Sequence, residues 1–226
     1  MARLARIVVP GLPHHVTQRG NGRAKLFFTP QDYALYKNLL VEHCRVADVG
    51  IWAWCLMPNH VHLILTPADP DGLRRALAKV HRAYAGTIHA RQKKTGHFWQ
   101  GRFGTVAMDE DHLLSAVRYV GLNPVRARLV KQAADWPWSS ARAHLTDEPD
   151  GVTDLGPMKD RLPSSTGLFD LLETDVAAFD ALRKAESIGR PVGSEAFLDR
   201  IAGQLGKAVR PGKRGRRRKE NSALSP

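Results

Sequence analysis

Cysteine is nearly absent: Cys44 and Cys55 are the only two in 226 residues, and they form no CxxC pair. Two isolated thiols exclude a disulfide framework and point to a reducing cytoplasm. Long apolar runs are missing too, since no stretch approaches the roughly 18 residues that a membrane span requires. The opening residues, MARLARIVVPG, lack an apolar segment of the length a secretory leader needs. No internal repeat is visible. Acidic residues are under-supplied, with 22 Asp and Glu against 34 Lys and Arg, a formal charge of +12. A chain this basic is drawn to polyanions, and with no membrane-binding helix in sight the expected partner is nucleic acid.

What is present suits one domain of ordinary size plus an extension, with 43% hydrophobic residues for a core. Composition divides the chain into a first domain over 1–145 and a linker over 146–166 rich in Asp, Gly, Pro and Ser. A helical extension over 167–209 and a basic tail over 210–226 follow. LPHHVTQRG reads as a strand closed by the turn Gly20-Asn21-Gly22. Thr29-Pro30 opens a helix whose periodic apolar set is Tyr33, Tyr36, Leu39, Leu40 and Cys44. Strands over 49–57 and 60–66 meet at the turn Pro58-Asn59, and a helix over 72–90 carries Leu73, Leu77, Val80, Tyr84 and Ile88 on one stripe. A strand over 103–108 leads into a helix capped at 109–111 and ending near Leu122. The order β-α-β-β-α-β plus a helix predicts an α+β fold, a ferredoxin-like antiparallel sheet covered by helices. Further helical patterns cover 168–185 and 194–205.

Within MPNHVHLIL (57–65), strand alternation puts His60, His62 and Ile64 on one face and Val61, Leu63 and Leu65 on the other. The second set packs a core, while the first offers two imidazoles roughly 7 Å apart along the strand, able to reach one ion. In AVRYVGLNPVRARLV, Tyr119 and Asn123 stand at i and i+4 and project from one helical face. Two imidazoles and an amide oxygen make a three-ligand set for a divalent ion, and a tyrosine beside such an ion can attack phosphorus. Pro124 opposes a helical Asn123, which predicts a helix ending at that residue. His14 and His15 are adjacent, so only one can face the site, and both are set outside the catalytic group. Arg19, Gln100, Arg102, Arg126, Arg128 and the tail residues Lys213, Arg214 and Arg216 are the candidate DNA contacts. Phe98, Trp99 and Phe103 read as core or as stacking platforms, and Tyr33, Tyr36 and Tyr84 as core.

These residues carry a family resemblance. The stretches HHVTQRGNGR (14–23), MPNHVHLIL (57–65), GHFWQGRF (96–103), YVGLNPVRARLV (119–130) and WPWSS (136–140), in that order, resemble the single-tyrosine HUH transposases. Within that superfamily the chain is similar to the REP-associated tyrosine transposases. The resemblance implies that 1–145 is the catalytic domain. His60 and His62 would bind Mg²⁺ or Mn²⁺, with Asn123 completing the set, and Tyr119 would be the nucleophile. It implies cleavage of single-stranded DNA beside a short palindromic hairpin through a 5′-phosphotyrosine link, followed by strand transfer. Monomer and dimer both stay open. The rivals are a non-catalytic protein that grips structured DNA or RNA, and a hydrolase that activates water.

Overall fold

The structure is a computed structural model and describes residues 5–161, 168–170 and 175–210. Four strands form one antiparallel sheet: β1 (His14–Arg19), β2 (Val49–Met57), β3 (His60–Pro67) and β4 (Gly104–Ala107). Their spatial order is β2-β3-β1-β4, so the hairpin β2-β3 lies on one side of β1 and the last strand on the other. With helix α1 (Pro30–Val46) after β1 and α2 (Gly72–Gln92) after β3, this is the expected ferredoxin-like α+β layer.

Local chemistry sets the helix boundaries. α1 begins with a capping box: Thr29 is the N-cap, and Asp32 Oδ2 accepts the backbone N–H of Phe28 and Thr29 at 2.8 and 3.0 Å. Asp32 is buried, and Arg91 of α2 grips it bidentately at 2.6 and 2.9 Å. α1 and α2 cover the face built from Val16, Val61, Leu63 and Leu65, together with the predicted stripe Leu73, Leu77, Val80, Tyr84 and Ile88. Tyr33, Tyr36 and Tyr84 belong to this core, and Phe98 and Trp99 pack against it.

The opposite face is covered by α3 (Glu110–Arg126), whose N-cap Asp109 accepts from the His112 N–H at 3.1 Å. The helix does not stop at Asn123 as its sequence predicts. Pro124 lies inside it, and the turn continues to Arg126, with the Ala127 N–H on Asn123 O and the Leu129 N–H on Pro124 O. A proline one turn from a helix end removes a single ladder bond, and these closing bonds hold the last turn in place.

After α3 come α4 (Ala141–Thr146) and the short α5 (Gly156–Lys159). The segment read as a linker is fastened to β2: Asp154 N–H bonds Ile51 O at 2.8 Å, and Trp54 Nε1 donates to Asp150 at 3.0 Å. α6 (Asp175–Ile188) and α7 (Glu195–Leu205) form the extension, and the helical pattern read from Leu168 begins in the structure as a turn. α6 brings Phe179 and Leu182 into the core under α3, where Gly121 admits the Phe169 ring. A Cβ at Gly121 would stand 2.2 Å from that ring. Asp109 ties the start of α7 to that of α3, accepting the Ser194 N–H at 2.7 Å. No helix among the described residues is long and apolar enough to cross a membrane.

Candidate metal and nucleic-acid site

Strand register decides which histidines meet. In the β1–β3 ladder Thr17 lies opposite His62 and Arg19 opposite His60, so His15, Thr17 and Arg19 share the face of His60 and His62. His14 points the other way and is spent on structure, its Nε2 accepting the Val9 N–H at 3.1 Å and its Nδ1 meeting Leu12 O at 2.8 Å. His15 is therefore a site residue that its sequence position left undecided. The signal was present: by two-residue alternation, any strand that aims Arg19 at the site aims His15 there as well.

The ring nitrogens of the pair are already divided between two tasks. His60 Nδ1 donates to Asn59 Oδ1 at 2.6 Å, and His62 Nδ1 shares a hydrogen bond with His15 Nε2 at 3.0 Å. Each Nε2 is thereby the nitrogen left for a ligand, and the two rings lie 4.8 Å apart, nearly perpendicular. Asn59 is itself anchored, its Nδ2 on Arg23 O and its carbonyl taking the Gly20 N–H. Burial pushes His60 down to about 4, with the Arg19 charge adding to the effect, and it pushes His15 down to about 3. His62 is held well below the usual imidazole range by burial first, then by its neighbours His15, His60, Arg19 and Arg126. Neutral imidazoles are the form that binds metal, so the donor set suits a divalent cation.

A cleft of about 460 Å³ opens over this pair, walled by Arg19, His60, His62, Gln100, Arg102, Arg183 and Glu186. Gln100 stands beside Arg19 because its N–H bonds the Arg19 carbonyl at 2.9 Å. Gln18 Nε2 fixes the Gly101 carbonyl at 3.0 Å, which carries Arg102 to the rim. The structure thus brings Arg19, His60, His62, Gln100 and Arg102 into one cavity. Arg183 and Glu186 join them from α6, and no motif announced either. Burial raises the Glu186 carboxyl to about 7, against the pull of Arg19 and Arg183.

Tyr119 stands one layer behind the wall. Its ring is 5.3 Å from His62 and 5.6 Å from His15, both edge-on, and Phe179 of α6 covers it at 5.2 Å. The Arg126 guanidinium lies 4.9 Å from the ring centre. The phenol is raised above its ordinary value by burial first and by the Glu186 charge second, while Arg126 and Arg183 oppose the rise. Asn123 turns its amide nitrogen back onto the Tyr119 carbonyl at 2.7 Å. Arg128 is exposed beyond the helix, and Lys213, Arg214 and Arg216 lie outside the described residues. One carboxylate enters as well: His15, His62 and Glu186 each place one potential ligand atom within 4.8 Å of the others.

Paired histidines on one sheet face thus stand between a tyrosine helix behind them and an arginine-lined cleft in front. The family model described as "Transposase IS200 like" matches residues 8–123. A REP-associated tyrosine transposase of Escherichia coli K12 is 30% identical over 122 residues, covering 53% of this chain and 70% of that protein. A putative REP-associated tyrosine transposase of Haemophilus influenzae is 28% identical over 110 residues, covering 44% of this chain and 61% of that one. A solved REP-associated tyrosine transposase bound to a REP hairpin shares the fold, with a TM-score of 0.56 at 23% identity over 69% of this chain and 90% of that chain. The chain belongs to the IS200-like transposase family and, within it, to the REP-associated tyrosine transposases.

Proposed function

We propose that this protein is a metal-dependent endonuclease and strand transferase, cutting single-stranded DNA next to a short palindromic hairpin. The observation that carries this reading is the fixed pair His60 and His62, each held through Nδ1, with the Tyr119 ring 5.3 Å from His62. His60 and His62 would hold Mg²⁺ or Mn²⁺, and Asn123 is the amide available on the tyrosine helix. Such an ion supplies Lewis acidity at the scissile phosphate. Arg19, Gln100, Arg102 and Arg183 line the cleft, where the three arginines would offset the charge of a DNA backbone and the Gln100 amide would hydrogen-bond it.

Tyr119 is the nucleophile. Its oxygen gives up the phenolic proton and bonds phosphorus as the bond from phosphorus to the 3′ oxygen breaks, and the departing 3′ oxygen takes up a proton, leaving a 5′-phosphotyrosine and a free 3′-hydroxyl. The phosphodiester energy is conserved in that link, so a second 3′-hydroxyl reverses the attack and joins strands. Arg126, set against the ring, meets the developing phenolate charge. Arg128 and the tail residues Lys213, Arg214 and Arg216 add contacts to the hairpin that do not depend on its sequence.

A second reading, a protein that grips hairpin DNA without cutting, is favoured by one observation: Tyr119 is only 4% exposed. A denaturing gel with labelled hairpin DNA and Mn²⁺ separates the two. A covalent band in the wild type, lost in Tyr119→Phe and His62→Ala, supports the transferase. Equal cutting by Tyr119→Phe supports activated water, and tight binding with no cutting supports the grip alone.

A further inference from the structure

His62 is backed by His15 and Glu186, which the transposase reading leaves without a role. Its Nδ1 meets His15 Nε2 at 3.0 Å with the two rings nearly parallel, and His15 Nδ1 in turn lies 3.1 Å from Glu186 Oε1. That last approach is off the line of a hydrogen bond. His15 Nδ1 and Glu186 Oε1 are consequently both buried with no aligned partner. Unsatisfied buried polar atoms are rare, and two facing each other ask for a reason.

Resting on the metal-site reading above, we propose that Glu186 and His15 form a positioning relay behind His62, carboxylate to imidazole to imidazole, which fixes how His62 meets the divalent ion. The protons run in one direction. His62 Nδ1–H donates to His15 Nε2, His15 Nδ1–H faces the Glu186 carboxylate, and the His62 Nε2 lone pair is left for the metal. Both imidazoles are neutral; burial raises the Glu186 carboxyl to about 7, while the charges of Arg19 and Arg183 pull toward its ionised form. His60 is served by a shorter version of the same device, its Nδ1–H on Asn59 Oδ1. Groups that hold the second nitrogen of a metal-binding histidine typically change affinity about 10- to 100-fold when removed.

The relay has a consequence for the architecture. Residues 8–123 contain His15, His60, His62 and Tyr119 and match the family model, whereas Glu186 is carried by α6 beyond it. Docking of α6 therefore completes the electrostatics of a metal site whose two histidine ligands belong to the sheet.

The test is Mn²⁺ binding to the full chain without DNA, followed by electron paramagnetic resonance of the free ion. His60→Ala and His62→Ala come first: if neither weakens binding, the metal-site reading itself fails and the relay falls with it. With those losses in place, His15→Ala and Glu186→Gln are each expected to weaken binding 10- to 100-fold. The double variant should be no weaker than His15→Ala alone, because Glu186 acts through His15. A Glu186→Gln loss that persists undiminished in the His15→Ala background would make Glu186 a direct ligand and overturn the relay. Unchanged affinity in both single variants would overturn it too. Nitrogen NMR of His62 gives a readout that packing damage does not mimic. The Nδ1–H tautomer should dominate in the wild type and give way to a tautomer mixture in His15→Ala, and a His62 signal identical in the two proteins would also contradict the relay.

Discussion

The two faces of one sheet treat their buried polar atoms differently. On the face covered by α1 and α2, polar groups among the aromatics find partners: Tyr36 Oη meets His81 Nε2 at 3.0 Å, Tyr84 Oη donates to Leu26 O at 2.9 Å, and Trp99 Nε1 donates to His81 O at 2.9 Å. On the face covered by α3 and α6, His15 Nδ1, Glu186 Oε1 and Arg126 Nη1 are buried without aligned partners. Alternation along β1 and β3 makes both faces from the same strands, one residue out of phase. The first face spends its polar atoms on stability. The second leaves some of its buried polar atoms unpaired, a cost that functional sites commonly carry.

This contrast can be broken at several points. The largest effect is expected at Leu63, fully buried on the dry face: Leu63→Ala should lose about 2–5 kcal/mol in urea unfolding. His60→Ala, one strand position out of phase, should stay within about 1 kcal/mol of the parent. Comparable losses in the two variants would erase the distinction. Next comes Gly121→Ala, which drives a methyl into the Phe169 ring and should cost about 1–3 kcal/mol. A neutral result would mean that the cover over the site face is loosely seated.

Asp32 shows how the dry side tolerates a charge. Burial pushes its carboxyl up, but Arg91 and the N–H groups of Phe28 and Thr29 outweigh that and hold it below the usual carboxylate range. A depressed folded pKa stabilises above the unfolded value of about 3.9 and is lost as pH falls through the folded one. Asp32→Asn should therefore lose about 1–2 kcal/mol at neutral pH. The gap to wild type should narrow below about pH 4, and a gap that widens in acid would refute this balance. The smallest change in stability belongs to Tyr119→Phe, about 1 kcal/mol or less in the same unfolding assay. Its DNA adduct should nevertheless be absent from the gel.

Much of this was legible in the chain. Alternation in HVHLIL and the apolar stripe from Leu73 to Ile88 specify the sheet face and the helix that covers it, and the capping signal at Thr29 fixes where α1 starts. What escaped depends on distant partners. The helix passes Pro124 because the closing bonds at Ala127 and Leu129 support its last turn, which a local rule for the residue before proline does not weigh. His15 was undecided against His14 until β1 was seated between β3 and β4. Glu186 and Arg183 sit on a helix whose sequence reads as a plain amphipathic appendage, and only its packing on α3 and β4 delivers them to the cleft.

The central claim, that Tyr119 carries the DNA, is tested most directly by mass spectrometry of the protein after reaction with hairpin DNA and Mn²⁺. Digestion should yield one peptide from α3 bearing a nucleotide mass on Tyr119, absent when His62 is replaced by alanine. A nucleotide on another residue, or cleaved DNA with every peptide unmodified, would contradict the account.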